Sequence, residues 1–571
     1  MCGIFSIMNE KELSEEFIYA QFMKGQSRGP EHSSFKLISR DNKGEKVNEI
    51  IYFGFHRLAI NGLNANSHQP FNFSSVSLIC NGEIYNYKML YKMMNITPTT
   101  DSDCEIIVHM YLRYGIEQTL RMLDGVFAFQ LYDHRDKSLY VARDPYGVRP
   151  LFILHSSNGD KSTWGFASEL KMLNGFVQSS SLIQTHKIKQ FTPGTYIRMP
   201  SSSAHMRQPQ MLHHRYHTLA FPSFNSIFDE QTVTSNLRQL LKDAVRKRVT
   251  NTERPIACLL SGGLDSSLIC GLVAEETLKT TGKQIETYSI GMEGSDDLKY
   301  AKIVAKHLNT KHTEVVVTEK EFFDAIPQVI QTIESYDTTT VRASVGNYLI
   351  AKYIRQHSNA KVIFNGDGAD ELMGGYLYFH LCDDPIEFDT ECRRLLNNIS
   401  YFDVLRSDKS ISSCGLEPRT PFLDRAFTQY YMSIPIDMRC HGKNKQCEKY
   451  LIRKAFSDYQ PTLIPKDILW RRKEAFSDGV SKASRSWHDI IKEFVEKIKD
   501  KDSYIQDFMS TQNGEAITNC PITDEQVYYR AIFEKHYPSL GKIIPYFWMP
   551  KYASTSDASA RSLDIYKSIQ Y

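Results

Sequence analysis

An unbroken apolar run, Ile256-Ala-Cys-Leu-Leu260, gives way to Ser261-Gly262-Gly263-Leu264-Asp265-Ser266-Ser267, and a helical pattern begins near Asp265. A run that is apolar on both faces suits a strand covered on both sides, as in a parallel sheet. The format recurs at Thr287-Tyr-Ser-Ile290 and Lys361-Val-Ile-Phe364, with helical periods over Leu298–Leu308 and Phe322–Glu334 between them. That alternation predicts a doubly wound α/β domain with its ligand at the carboxyl ends of the strands. Two glycines let the backbone turn sharply and approach a ligand, while amides and hydroxyls converge on one spot. Such a loop suits a phosphate, above all a pyrophosphate leaving group. The lysine of a P-loop is missing. A capped Gly-Gly turn is the plainer alternative, but it does not call for four hydroxyl and carboxyl groups in seven residues.

A second constellation follows the third predicted strand: Asn365-Gly-Asp-Gly-Ala-Asp370-Glu371-Leu-Met-Gly-Gly375-Tyr376. Its three carboxylates beside glycines suit a metal, an ammonium group or an acyl acceptor better than an acidic surface turn. Residues 1 to about 200 have another texture, with short strands such as Ile51–Phe55, Val76–Cys80, Val126–Gln130 and Leu139–Ala142. Between them a helical stretch covers Asp103–Tyr114. At 571 residues the chain exceeds one core. It divides into 1–205, a Ser/Pro/His-rich linker over 206–225, an α/β domain over 226–545, and a loosely ordered tail over 546–571.

A formal charge of +2 gives no argument for nucleic acid or membrane as a partner. The run Arg246-Lys247-Arg248 reads as a solvated helix face. Eleven scattered cysteines without a CxxC pair argue against a zinc site or disulfide framework and for a reducing compartment. With no leader and no long apolar run, a cytoplasmic protein is expected. One cysteine stands apart. If Met1 is removed, Cys2 carries a thiol and a free α-amine on one residue, and an amine of pKa ~7.7–8.0 can accept the thiol proton.

As an ordered set the motifs resemble the glutamine-dependent asparagine synthetases. In the N-terminal block the resemblance rests on Cys2-Gly3-Ile4, Arg28-Gly29-Pro30, Phe55-His56-Arg57-Leu58, Gln69-Pro70, Asn81-Gly82-Glu83-Ile84-Tyr85-Asn86, Asp101-Ser102-Asp103 and Ala142–Pro150. In the C-terminal block it rests on Ser261–Ser267, Thr340–Ser344, Asn365–Tyr376, Pro421–Asp424 and Trp470–Gly479. The resemblance implies a four-layer αββα N-terminal nucleophile glutaminase followed by an ATP-pyrophosphatase domain. Cys2 would be the nucleophile, with the Asn81 side chain and the Gly82 amide as oxyanion hole. Arg57 would pair with the glutamine carboxylate, and Glu83 and Asp103 would hold its α-amino group. In the second domain Ser261, Gly262, Gly263, Asp265, Ser266 and Ser267 would cradle pyrophosphate, with Leu260 and Ile290 bordering adenine. Gly366 and Asp370 would lie near ATP, and Asp265 and Asp370 near Mg²⁺. Arg342 and Lys473 would stabilise the α-phosphate, while Glu371 and Asp424 would hold the amino-acid acceptor.

The implied chemistry is attack of aspartate on the α-phosphate of ATP to give β-aspartyl-AMP and pyrophosphate. Ammonia from glutamine, conducted between the domains away from water, then displaces AMP. The chain departs from the family at Asn365-Gly366-Asp367-Gly368-Ala369-Asp370, where the family usually reads Ser-Gly-Glu-Gly-Ser-Asp. Asp367 is one methylene shorter than the Glu thought to accept a proton from ammonia, so slower synthesis is expected. Three rivals remain. One is an amide ligase acting on another carboxylate, as in β-lactam synthetase-like enzymes. The others are a regulatory homologue that has lost catalysis, and an ammonia-using synthetase with a vestigial glutaminase. Dimers are common in the family, which leaves a homodimer open.

Overall fold

The computed structural model describes residues 1–571 apart from 11, 42–48, 159–160, 179–184, 201–212, 225–227, 460–461, 475, 483–484, 499–517, 556 and 569–571. Two compact units emerge, Met1–Thr218 with Ser412–Leu416, and Leu219–Ile411 with Glu417–Tyr571.

The first unit contains twelve of the described strands: β1 Gly3–Met8, β2 His32–Asp41, β3 Glu49–Arg57, β4 Phe71–Phe73, β5 Val76–Ile84, β6 Gly125–Asp133, β7 Ser138–Arg143, β8 Phe152–Asn158, β9 Lys161–Ala167, β10 Thr185–Gln190, β11 Thr195–Pro200 and β12 His214–Arg215. They form two antiparallel sheets, ordered β10-β8-β9-β1-β3-β2 and β12-β11-β7-β6-β5-β4. Alternation along the strands decides what each face meets. On β1, Ile4 and Met8 join Phe53 and Phe55 against Ile79, Ala128 and Val141 of the other sheet, so the inner faces share one core. On the opposite face of β1, Phe5 lies against Phe22 and Phe176, from the helices Glu15–Met23 and Lys171–Gln178. The outer face of the second sheet buries Leu78, Phe127 and Phe129 with Leu90 and Ile107, from the helices Tyr87–Met94 and Ile106–Met122. The layers are therefore αββα.

Of the region expected to be linker, 206–225, the described residues are 213–224. Among them His214 and Arg215 pair with β11, and the Tyr216 hydroxyl donates to the Arg143 carbonyl at 2.8 Å. The expected boundary at 206 lies outside the described residues, and the change of unit falls between Thr218 and Leu219.

The second unit carries a five-stranded parallel sheet ordered β15-β14-β13-β16-β17, from β13 Ile256–Leu259, β14 Glu286–Met292, β15 Lys311–Val317, β16 Val362–Phe364 and β17 Glu417–Arg419. The sequence suggested three of these. β15 is an edge strand with several exposed positions, so its pattern lacks the buried-strand signature. β17 has only three residues. The chain builds outward from β13 through β14 to β15, then returns to place β16 on the other side of β13. That reversal is a topological switch point, where the loops leaving β13 and β16 diverge and open a crevice.

The described residues of 546–571, which composition marks as a loose tail, are instead built into this unit. Trp548 and Leu563 are buried in a core with Tyr378, Phe388 and Leu395. Serine and aspartate lower the average hydropathy of the segment, but a few well-placed apolar side chains are enough to anchor it.

Candidate active sites

In the first unit the buried Arg28 donates from Nε to the Cys2 carbonyl at 2.9 Å and from Nη1 to Glu169 at 2.8 Å. Its guanidinium therefore fixes the backbone of the cysteine. The thiol lies 3.7 Å from the Leu58 carbonyl. Gly29 must be glycine, because a Cβ there would stand 2.4 Å from the His56 backbone. His56 is sealed beneath, stacked on Phe22 at 3.9 Å and bonded to Ser33 Oγ at 2.7 Å. Burial pushes its ring down to about 4, against the pull of the Phe22 carbonyl, so it is neutral near pH 7.

Strand β5 delivers Asn81, Gly82 and Glu83 in sequence. Asn81 is fully buried, with Nδ2 3.5 Å from Ser168 Oγ and no hydrogen-bond partner for Oδ1 among the described residues. Gly82 faces Phe127 on β6, where a Cβ would come within 2.5 Å of the Val126 carbonyl. Glu83 accepts from Asn61 Nδ2 at 2.8 Å, and Asp103 accepts from the Ile84 amide at 2.6 Å. Arg57, at the end of β3, gives its guanidinium to the following loop. It bonds the Asn64 carbonyl at 2.9 Å and the Gly62 carbonyl, beside His68 Nδ1 at 3.1 Å. In this state it organises the loop.

In the second unit the crevice at the β13/β16 switch point is lined by Leu260, Ser261, Gly263, Asp265, Ser266, Ile290, Gly366, Asp367, Asp370, Glu371 and Lys473. Ser261 and Ser266 share a hydroxyl contact of 3.0 Å beneath the N-terminus of the helix Leu264–Thr281. Gly262 has φ +74°, and a Cβ there would sit 2.5 Å from the Tyr300 backbone. Its carbonyl accepts from Arg471 at 3.1 Å. Ser267 Oγ is buried and has no partner among the described residues. At Gly366 a Cβ would be 2.8 Å from the Asp265 backbone, so this glycine lets the two loops meet.

Where the loops meet, two aspartates face two lysines. Lys449 Nζ lies 2.7 and 2.6 Å from the two oxygens of Asp265 and 2.6 Å from Asp370. Lys473 Nζ lies 2.6 Å from Asp370 and 3.5 Å from Asp265. Burial alone would raise the Asp370 carboxyl, but the two ammonium groups outweigh it and hold it well below the usual carboxylate range. For Lys473 burial disfavours the charge, and Asp370 and Asp265 reverse that effect. Glu371 is pushed up to about 7 by burial and by Asp370, while the Tyr376 hydroxyl donates to it. Asp367 lies 3.7 Å from Arg406, and its Oδ2 is buried without a partner among the described residues.

The carboxylates of Asp265 and Asp370, bordering the hydroxyls of Ser261 and Ser266, are a donor set that fits a Mg²⁺ ion, which takes one or two carboxylates and completes its shell with phosphate and water oxygens. Among the described residues no cluster of three or more His, Cys, Asp or Glu forms a self-sufficient metal site.

Comparison with known proteins matches the glutamine amidotransferase domain model over residues 1–220 and the asparagine synthase model over 236–384 and 383–556. The asparagine synthetase [glutamine-hydrolyzing] of Gallus gallus is 42% identical over 587 residues, spanning 100% of this chain and 99% of the relative. Those of Cricetulus griseus and Homo sapiens are 41% and 40% identical, each over 100% of this chain and 99% of the relative. The chain belongs to the asparagine synthetase family.

Four residues carried over from the family do not line the crevice: Gly262 and Ser267, which belong to the loop bordering it, and Arg342 and Asp424. Arg342 gives Nε and Nη2 to Glu525 at 2.9 and 2.5 Å, and Nη1 and Nη2 to Asp557 at 2.9 and 2.8 Å. It sits on the flank of the helix Thr338–His357, whose Thr339, Ala343 and Asn347 face the crevice instead. Asp424 caps the helix Arg425–Ser433 and pairs with Arg248 at 2.7 Å and with Lys247. Burial would raise its carboxyl, but Arg248 and Lys247 lower it. The run Arg246–Arg248 is thus only partly a solvated face, with Arg246 exposed, Lys247 half-buried and Arg248 buried. A helix period places charge on a face but does not reveal the carboxylate waiting there. Conversely, nothing in the sequence marks Lys449 as a partner for Asp265. Arg28, inside a recognised motif, could have been singled out as the support for Cys2.

Proposed function

We propose that the chain makes asparagine from aspartate, taking nitrogen from glutamine and driving the amidation with ATP. The observation that carries this reading is the meeting of Asp265, Asp370, Lys449 and Lys473 at the switch-point crevice, on a chain whose other unit carries Cys2 at the head of β1 and Asn81 and Gly82 on β5.

Cys2 Sγ attacks the side-chain carbonyl of glutamine, and the α-amine of Cys2 takes the thiol proton and passes it to departing ammonia. That amine exists only after Met1 is removed, because an amide nitrogen has no basic lone pair. The Asn81 Nδ2 and the Gly82 amide stabilise the oxyanion, and water hydrolyses the thioester to glutamate. At the crevice Leu260 and Ile290 flank the adenine, while Ser261, Ser266 and the helix N-terminus receive the phosphates. A β-carboxylate oxygen of aspartate attacks the α-phosphorus, and pyrophosphate leaves as Lys473 offsets the developing charge. Asp265 and Asp370 are the residues that would hold Mg²⁺, which neutralises phosphate charge when bound. Ammonia then attacks the acyl carbon and AMP departs. Asp367, one methylene shorter than the family's Glu, would accept the ammonia proton, and Glu371 would hold the aspartate amine. The reading includes a cytoplasmic location and, by family resemblance, a homodimer.

Incubating the purified protein with glutamine, aspartate and Mg-ATP tests this reading, with asparagine, AMP, pyrophosphate and glutamate expected in equal amounts. ADP in place of AMP would overturn it. AMP without asparagine would place the fault at the ammonia step beside Asp367.

A further inference from the structure

The built-in segment 557–566 touches the loop that carries Lys473 at several points. The guanidinium of Arg561 donates to Glu474 Oε1 at 2.7 Å, and the Tyr566 hydroxyl donates to Glu474 Oε2 at 2.9 Å. Both carboxylate oxygens of the residue next to Lys473 are therefore committed to this segment. Arg472, on the other side of Lys473, donates to the Tyr566 carbonyl at 2.7 Å and lies 4.2 Å from the centre of its ring. Further along, the Ser559 hydroxyl donates to Asp478 at 2.8 Å, and Arg561 Nη1 donates to the Lys482 carbonyl at 3.0 Å. The segment is itself anchored by buried Leu563 and by the bidentate Asp557–Arg342 pair.

We propose that residues 557–566 form a strap that positions Lys473 for adenylation, with Arg561 and Tyr566 acting through Glu474. The inference rests on the reading of Lys473 as the cation facing the departing pyrophosphate. A lysine stem has four rotatable bonds, and its ammonium is a point charge whose aim depends on where its backbone is held. The loop Trp470–Glu474 has no helix or strand of its own to supply that hold. The strap supplies it from both neighbours, by a doubly bonded carboxylate at 474 and a stacked, bonded guanidinium at 472. Displacing a catalytic group by about 1 Å costs roughly 10²-fold in rate, so the strap acts on turnover more than on nucleotide affinity.

The test is the double variant Arg561→Ala/Tyr566→Phe in the full chain, read by aspartate-dependent ATP–pyrophosphate exchange and, separately, by glutaminase turnover. Exchange kcat is expected to fall about 10- to 100-fold, with KM for ATP moving much less and glutaminase kcat unchanged. Arg561→Lys, which keeps a donor to Glu474, should recover most of the loss. Exchange kcat within about twofold of the parent would overturn the proposal, as would equal losses in exchange, glutaminase activity and thermal midpoint. If the double variant does not fold, Tyr566→Phe alone removes one hydroxyl and should lower exchange kcat severalfold, and no change there would equally overturn it. Lys473→Ala separates the two layers of argument. If it keeps exchange, the reading of Lys473 fails. If it loses exchange while the strap variants keep it, only the strap fails.

Discussion

The two sites are held together by different forces. Around Cys2 the machinery sits on strands in register. Asn81, Gly82 and Glu83 follow one another on β5, and hydrogen bonds to buried backbone fix the rest. In the crevice of the second unit the key groups come from positions 265, 370, 449 and 473, on separate segments, and ion pairs join them. A strand-borne site inherits its precision from the ladder, and one residue can be lost without disordering its neighbours. A charge-joined site depends on every member, since removing one leaves its partners buried and uncompensated.

The largest effect expected from this contrast is at the strand-borne site. Cys2→Ala should abolish glutamine-dependent asparagine formation, by about 10³-fold or more, while ammonia-supported synthesis stays within twofold. Retained glutamine use in that variant would break the comparison outright and favour a different nitrogen route. Next comes the charge-joined site. Lys449→Ala should lower the stability of the second unit by about 3–5 kcal/mol and cut pyrophosphate exchange by about 10²-fold. A urea midpoint and exchange rate close to the parent's would show that Lys473 alone holds Asp265 and Asp370.

The third expectation sharpens the contrast through pH. His56 titrates near 4 in the folded chain against an ordinary 6.5. Its folded value is depressed, so its contribution is present above pH 6.5 and lost as pH falls toward 4, up to about 3 kcal/mol. Glutaminase activity should therefore disappear at lower urea as pH drops through that window, and His56→Gln should flatten the dependence. The smallest effect is at Asp367→Glu, which restores the family's side-chain length. It should raise asparagine formed per AMP severalfold while leaving exchange untouched, as product ratios would report.

Much of this architecture was legible because it rests on local rules. The β13 run and its glycine turn announced a buried strand entering a helix, and the crevice formed there. The short strands of the first block were legible as strands, while their layering was implied only by the family resemblance. What stayed hidden depends on distant partners. β15 is polar because it is an edge strand, and β17 is too short for any period to show. The pairing of Asp424, which the family resemblance offers as an acceptor-binding carboxylate, stayed hidden because Arg248 and Lys247 meet it from a helix far away in sequence. The segment after Tyr546 looked loose because composition averages over Trp548 and Leu563, the residues that anchor it. Lys449 carried no signal at all, since its meaning is supplied by Asp265 and Asp370.

The quartet of Asp265, Asp370, Lys449 and Lys473 has a further property, in that its formal charges cancel. A set whose charges match within itself needs no counter-ion from solvent, so these four side chains can share the low-dielectric floor of the crevice as a group. None of them could hold its charge there alone.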